Sequence, residues 1–168
     1  MTKLMNEKVA VITGGARQRG IGLATARLFS EHGANVAVLD LDEQDLNGAA
    51  ASLGSDHLAL RCDVTDFAAC QNAVAEVVSR FGRIDVLVNN AGLTQRRRVM
   101  EVSPEDFELV TNVVLRGTRY MSQAVIPQMK AQGGGSIVCV SSMSAQQGGG
   151  VFGGTHYCAA KAGVLGLA

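Results

Sequence analysis

Tyr157 and Lys161 lie four residues apart in HYCAAKAGVLGLA, residues 156–168. At that spacing, in the first turns of a helix, two side chains share one face. A tyrosine held beside an ammonium is a phenol able to exchange its proton near neutral pH. A free tyrosine titrates near 10, so this work asks for about 4 kcal/mol of preferential stabilisation of the phenolate. An adjacent positive charge is a physical source of that stabilisation.

The second stretch with chemical potential is TGGARQRGIG, residues 13–22. Glycines there let the backbone approach a phosphate, and the helix that follows offers free N–H groups and a positive dipole end. Gly15 and Gly20 have P-loop spacing, but Ile21-Gly22 follows instead of Lys-Ser/Thr, which excludes a triphosphate loop. Gly20 and Gly22 are followed by Thr25, so the standard GxGxxG pattern is absent as well. Alone, the stretch also fits a plain tight turn. Asp40 supplies agreement: it ends the run VAVLD, where a carboxylate can accept hydrogen bonds from an adenosine ribose and repel a 2′-phosphate. That favours NAD. Arg17 and Arg19 pull toward NADP, but a strand end fixes Asp40, so NAD is the expected cofactor and NADP the runner-up.

Apolar runs at 8–13, 35–40, 57–63, 84–90 and 136–142 read as strands, and their near-continuous Val/Ile/Leu content suggests burial on both faces. Helical patterns lie between them at 20–32, 42–53, 66–81 and 103–131. Ser103-Pro104-Glu105-Asp106 is a helix start, and Pro127 should disturb the far end of that long helix. The alternation predicts an α/β fold, a doubly wound parallel sheet. The 168 residues suit one domain, and 15 basic against 15 acidic residues leave no field for nucleic acid or an anionic membrane. No apolar stretch is long enough to span a bilayer, so a soluble cytoplasmic protein is expected. Cys62, Cys70, Cys139 and Cys158 include no CxxC, and the three histidines lack metal-site spacing; neither disulfide nor metal is expected.

Four landmarks stand in order: TG…GIG (13–22), CDVTD (62–66), NNAG (89–92) and YCAAK (157–161). This set resembles the classical short-chain dehydrogenase/reductase family over the whole chain. The resemblance implies a Rossmann-like sheet in the order 3-2-1-4-5 and hydride transfer between a secondary alcohol, polyol- or sugar-like, and a ketone. It implies that Gly14, Ile21 and Gly22 meet the pyrophosphate, that Asp63 and Val64 edge the adenine, and that Asn90, Ala91 and Gly92 pass beneath the cofactor. Tyr157 would donate or accept the proton, and Lys161 would bind the nicotinamide ribose and lower the tyrosine pKa. A serine after strand five would hold the substrate oxygen; Ser142 is the choice, Ser144 the runner-up and Ser141 the third candidate. The partner is then a small alcohol or carbonyl compound, and the full-length form a homo-oligomer.

Three departures qualify the resemblance. Five residues separate Gly14 from Gly20 where the family pattern has three. The helix position where the family carries an Asn is Val114; Asn112 lies two positions away, about 200° around the axis, and is expected to bond locally. The family runs to about 250 residues, with two further strands, whereas this chain ends inside the Tyr157 helix. Residues 1–168 are therefore expected to be a single dinucleotide-binding domain, a fragment of a longer chain. A catalytically silent dinucleotide-binding fragment and an interaction module are the competing expectations. Arg96, Arg97 and Arg98 read as a solvated run, His156 and Cys158 as packing or surface residues, and Met100, Met121 and Met129 as gap-fillers or interface residues. Phe107 and Phe152 are too few for a base-stacking platform.

Overall fold

Five short apolar runs pair as one parallel sheet in the computed structural model, which describes residues 3–149 and 153–168. The strands are β1 (Val9–Thr13), β2 (Asn35–Asp40), β3 (Leu58–Arg61), β4 (Val86–Asn89) and β5 (Ser136–Cys139), in the order β3-β2-β1-β4-β5. Helices α1 (Ile21–Glu31), α2 (Glu43–Leu53), α3 (Phe67–Phe81), α4 (Pro104–Thr111), α5 (Gly117–Ala131), α6 (Ser144–Gln147) and α7 (Thr155–Leu167) complete the chain. Phe152, whose reading was given above, lies outside the described residues.

Side chains of a strand alternate between faces, and each face buries its own core. Val11, Leu39 and Leu87 pack with Val77 of α3 and Met121 and Val125 of α5. Their neighbours Ile12, Val38 and Val88 pack on the other side with Leu23 of α1 and Leu46 of α2. β1 is buried throughout, whereas β3 and β5 are half-exposed. The expectation of burial on both faces fails for these two because they are the sheet's edges. Met121 and Met129 fill the core as expected, while Met100 is almost wholly exposed.

Side chains cap three of the helices: Asp42 accepts from Asp45 N–H, Asp66 from Ala68 and Ala69, and Ser103 forms a reciprocal box with Asp106. The irregularity in the long helix falls at Asn112–Arg116, not at Pro127, which α5 passes through on its way to Ala131. The Gly117 N–H reaches back five residues to the Asn112 carbonyl, forming a π turn. It joins a segment whose Val110 and Val114 pack against Ala160 and Val164 of α7 to one whose Gly117 abuts Val64.

Asp85 ties the base of the sheet together. Its carboxylate accepts from Val9 N–H at 3.0 Å, from Arg83 at 2.7 and 2.8 Å, and from Lys8 at 3.3 Å. Burial opposes its charge, but these donors outweigh it and hold the carboxyl below the usual range. Because the folded value is depressed, the stabilisation is complete above the unfolded carboxylate value near 3.9 and is lost as pH falls through the folded value. Asp85→Ala is expected to cost about 2–3 kcal/mol at neutrality. Urea melts of variant and parent should converge at acidic pH.

Candidate functional site

The carboxyl ends of β1 and β4 are joined by one hydroxyl. Thr13, fully buried, accepts the N–H groups of Asn90 at 3.1 Å and Ala91 at 3.0 Å. Asn90 returns the tie, its side-chain amide donating to the carbonyls of Thr13 at 3.0 Å and Gly14 at 2.9 Å. Gly14 has φ +61°, a left-handed conformation that disfavours other residues. Gly22 stands against this knot: a Cβ there would lie 2.5 Å from the Gly14 carbonyl oxygen and 2.8 Å from Asn90 Nδ2.

Above the knot opens a cleft of about 470 Å³, bordered by Gly14, Ile21, Asp40, Asp63, Val64, Asn90, Ala91 and Gly92. Eight of the residues expected to meet a dinucleotide are thus brought to one place, with Gly22 directly behind them. Arg17, Gly20, Cys62 and Val113 join this lining, as do Leu41 and Leu93, which the sequence reading did not name. The first turn of α1 has neither an acidic residue nor a side-chain cap, unlike α2, α3 and α4. Its N–H groups and positive dipole end are left for an anion.

Asp40 has a double role. One oxygen accepts from Ala16 N–H at 3.0 Å and the other from Leu41 N–H at 2.8 Å, so the carboxylate also pins the glycine-rich turn. Gln18 and Arg27 are bonded to one another at 3.1 Å and extend to Ser52 through Arg27 at 2.8 Å, fastening the extended turn to α1 and α2. Asp63 holds the next connection by accepting from both the N–H and the hydroxyl of Thr65, each at 2.8 Å.

Tyr157 and Lys161 do share one face of α7, the lysine Nζ lying 5.9 Å from the phenol ring centroid. Lys161 is buried, and Nζ donates to the Val140 carbonyl at 2.5 Å. Burial pushes its ammonium below the usual lysine range, against a smaller opposing influence from Cys139. A Cβ built on Gly92 would lie 3.7 Å from both Lys161 Nζ and a Val114 methyl. Lys161 therefore connects α7 to the cleft, whose lining includes neither Tyr157 nor Ser142. Val114 is fully buried at this junction, while Asn112 borders a separate groove with Arg116 and Arg119 and takes no part.

The serines separate by their bonds. Ser141 donates to the Lys161 carbonyl at 2.8 Å and is occupied in holding α7. Ser142 lies in the loop after β5, not in the strand, and its oxygen accepts Ser144 N–H at 3.2 Å. Ser144 begins α6, which packs on α7.

His156 is buried, as the packing alternative anticipated, but it is also bonded. Gln95 donates its amide N–H to Asp106 at 2.9 Å, which turns the amide oxygen toward His156 Nε2 at 3.0 Å. A carboxylate only accepts, so the histidine must be the donor at that nitrogen. Arg97, expected to be solvated, pairs with the same Asp106 at 3.3 Å. The loop after Gly92 is thereby tied to the residue preceding Tyr157. No local sequence signal marks a bond between positions 95 and 156.

Among the described residues there is no group of three or more His, Cys, Asp or Glu able to hold a metal, and no helix long and apolar enough to cross a membrane. A family model described as short chain dehydrogenase matches residues 8–168. The chain is 51% identical over 169 residues to an uncharacterized short-chain type dehydrogenase/reductase of Sinorhizobium fredii, covering 98% of this chain and 67% of that protein. It is 38% identical to a sorbitol dehydrogenase of Cereibacter sphaeroides, covering 97% of this chain and 62% of the other. Among solved structures, a short-chain dehydrogenase/reductase titled glucose/ribitol dehydrogenase, from Brucella melitensis, superposes with TM-score 0.89 at 32% identity, covering 99% of this chain and 69% of that one. The chain thus spans about two thirds of the length of these relatives.

Proposed function

Because the chain belongs to the short-chain dehydrogenase family, we propose that residues 1–168 form one dinucleotide-binding domain that takes NAD and serves interconversion of a secondary alcohol and a ketone. The observation that carries this reading is the convergence of eight anticipated nucleotide-contacting residues on one cleft. The fit of a dinucleotide is supported by the cradle at Gly14 and Gly22, which a single Cβ would fill, and by the uncapped start of α1.

When bound, the dinucleotide supplies the hydride donor or acceptor. Asp40 binds the adenosine ribose and disfavours a 2′-phosphate, while Arg17 on the same cleft offers the opposing attraction. The backbone of Gly14, Ile21 and Gly22 receives the pyrophosphate; Asp63 and Val64 edge the adenine. Asn90, Ala91 and Gly92 form the floor, and Lys161 holds the nicotinamide ribose. Tyr157 Oη moves the proton to or from the substrate oxygen, with Lys161 on the same face of α7. Ser142 Oγ accepts from the Ser144 N–H, so its own hydrogen is available to orient that oxygen. The sorbitol dehydrogenase relative supports a polyol or sugar-like substrate. A cytoplasmic location and homo-oligomeric assembly of the full-length protein accompany this reading.

Calorimetric titration should give tighter binding of NAD than of NADP. Asp40→Ala should erase the preference, each lost interaction being worth on the order of 1–3 kcal/mol. Tighter binding of NADP by the parent chain would overturn the cofactor assignment. The apolar Val114 beside Lys161 favours a second reading, dinucleotide binding without turnover. NADH formation from a panel of polyols and secondary alcohols distinguishes the two.

A further inference from the structure

Gln95 is where the loop after Gly92, the start of α4 and the start of α7 meet. It follows Leu93, which borders the cleft and packs, as Tyr157 does, against the cluster of Val110, Val114, Ala160 and Val164. The Gln95 carbonyl accepts the N–H of Gly154, the residue before α7, at 2.9 Å. Its amide N–H donates to Asp106 in the first turn of α4, and its amide oxygen accepts from His156 at 3.0 Å. Asp106 is itself held by Ser103 N–H at 3.4 Å and by Arg97. A flipped Gln95 amide would set oxygen against that carboxylate and N–H against the histidine donor, so one orientation is fixed.

The fit at this point is close. A Cβ on Gly154 would lie 2.6 Å from His156 Cε1, 2.8 Å from the Gln95 carbonyl oxygen and 2.9 Å from that of Arg97. Gly153, one residue earlier, supports the Tyr157 ring. Tyr157 therefore stands between two residues tied to Gln95: His156 by its ring, and Gly154 by its amide, next to the supporting Gly153. The start of α7 has no side-chain cap and no acidic residue to hold it otherwise. His156 is 2% exposed, so water cannot replace a lost acceptor at Nε2.

We infer that Gln95 is a positioning residue for Tyr157: its bonds to His156 and Gly154 fix the start of α7, and with it the place of the Tyr157 hydroxyl beside the cleft. This role rests on the proton transfer proposed for Tyr157. Gln95 does not border the cleft, so its influence passes through α7 and not through nucleotide contacts. Misplacing a reacting group by about 1 Å can cost about 100-fold in rate.

Gln95→Met keeps the length of the side chain but has no N–H to donate and no carbonyl oxygen. In the 168-residue chain it should lower kcat for alcohol oxidation roughly 10- to 100-fold. The KM of the alcohol and the affinity for NAD should stay within about twofold of the parent. In a Tyr157→Phe background, measured by single turnover, the same substitution should cost no more than about twofold, because no hydroxyl remains to be placed. The full loss repeated in that background, or a raised KM with kcat unchanged, overturns the inference. His156→Phe removes the donor from the other side and should reproduce the kcat loss, so if one variant fails to fold the other decides. Amide hydrogen exchange reads the tie itself: Gly154 N–H should exchange at least about tenfold faster in Gln95→Met, while Val38 N–H within β2 keeps its parental rate. Unchanged exchange at Gly154 overturns the tie. If the parent chain oxidises no alcohol, or Tyr157→Phe keeps the parental rate, the proton-transfer reading fails and the positioning role falls with it. If Tyr157→Phe collapses turnover and Gln95→Met does not, that reading stands and the positioning role alone falls.

Discussion

Replacing Tyr157 with Phe should reduce NADH formation by roughly 100- to 10,000-fold, the usual range for one general acid or base, and leave dinucleotide affinity nearly unchanged. The reason is local. The ring packs beneath Gly153, where a Cβ would approach it to 2.7 Å, and phenylalanine keeps that contact. Only the hydroxyl proposed to move the proton is lost. Lys161→Met should behave differently and impair both turnover and binding, because Lys161 reaches the cleft beside Gly92 and is also bonded to Val140. Kinetics over a polyol panel, paired with calorimetry, separate the two patterns. Undiminished turnover in Tyr157→Phe would remove the proposed proton-transfer step.

The two candidate-site motifs were legible because each is local. Tyr157 and Lys161 need only one helix to share a face, and the glycine-rich turn needs only a strand end and a helix start. The strands were legible for the same reason, as runs of Val, Ile and Leu bounded by turns. What remained hidden depends on contacts between distant positions. Nothing in SIVC or LALR says that these runs form sheet edges. Nothing in TNVVLRG breaks a helix; the π turn lies between one segment packed on α7 and another packed on Val64. The bonds from Asp40 to Ala16 and from His156 to Gln95 span 24 and 61 positions, beyond any periodicity.

Gly22→Ala should be among the most damaging single substitutions in the cleft. The added methyl meets the Gly14 carbonyl oxygen at 2.5 Å, Asn90 Nδ2 at 2.8 Å and Gly15 Cα at 2.9 Å. Two of these are backbone atoms in a turn already held by Asp40 and Asn90, so no flexible side chain can yield. Overpacking of this kind costs about 1–3 kcal/mol, and the upper end applies here. Thermal unfolding should shift down by roughly 6–12 °C at this chain length, and NAD binding should be lost at accessible concentrations. Gly92→Ala is the control on the same cleft: its Cβ would find ordinary contacts at 3.7 Å. Equal damage from both would mean that the steric account of Gly22 is wrong.

The Thr13 knot divides the cleft by timescale. The Asn90 and Ala91 amides are bonded to a buried hydroxyl, so they exchange with solvent only when the ends of β1 and β4 separate. The rim differs: the first amides of α1 lack a side-chain cap, and they exchange by small local openings of the turn. A ligand therefore meets a floor that is already rigid and orders only the rim. The entropy lost on binding is concentrated at the uncapped first turn of α1, because Asp40 and Arg27 already pin the glycine-rich turn before it.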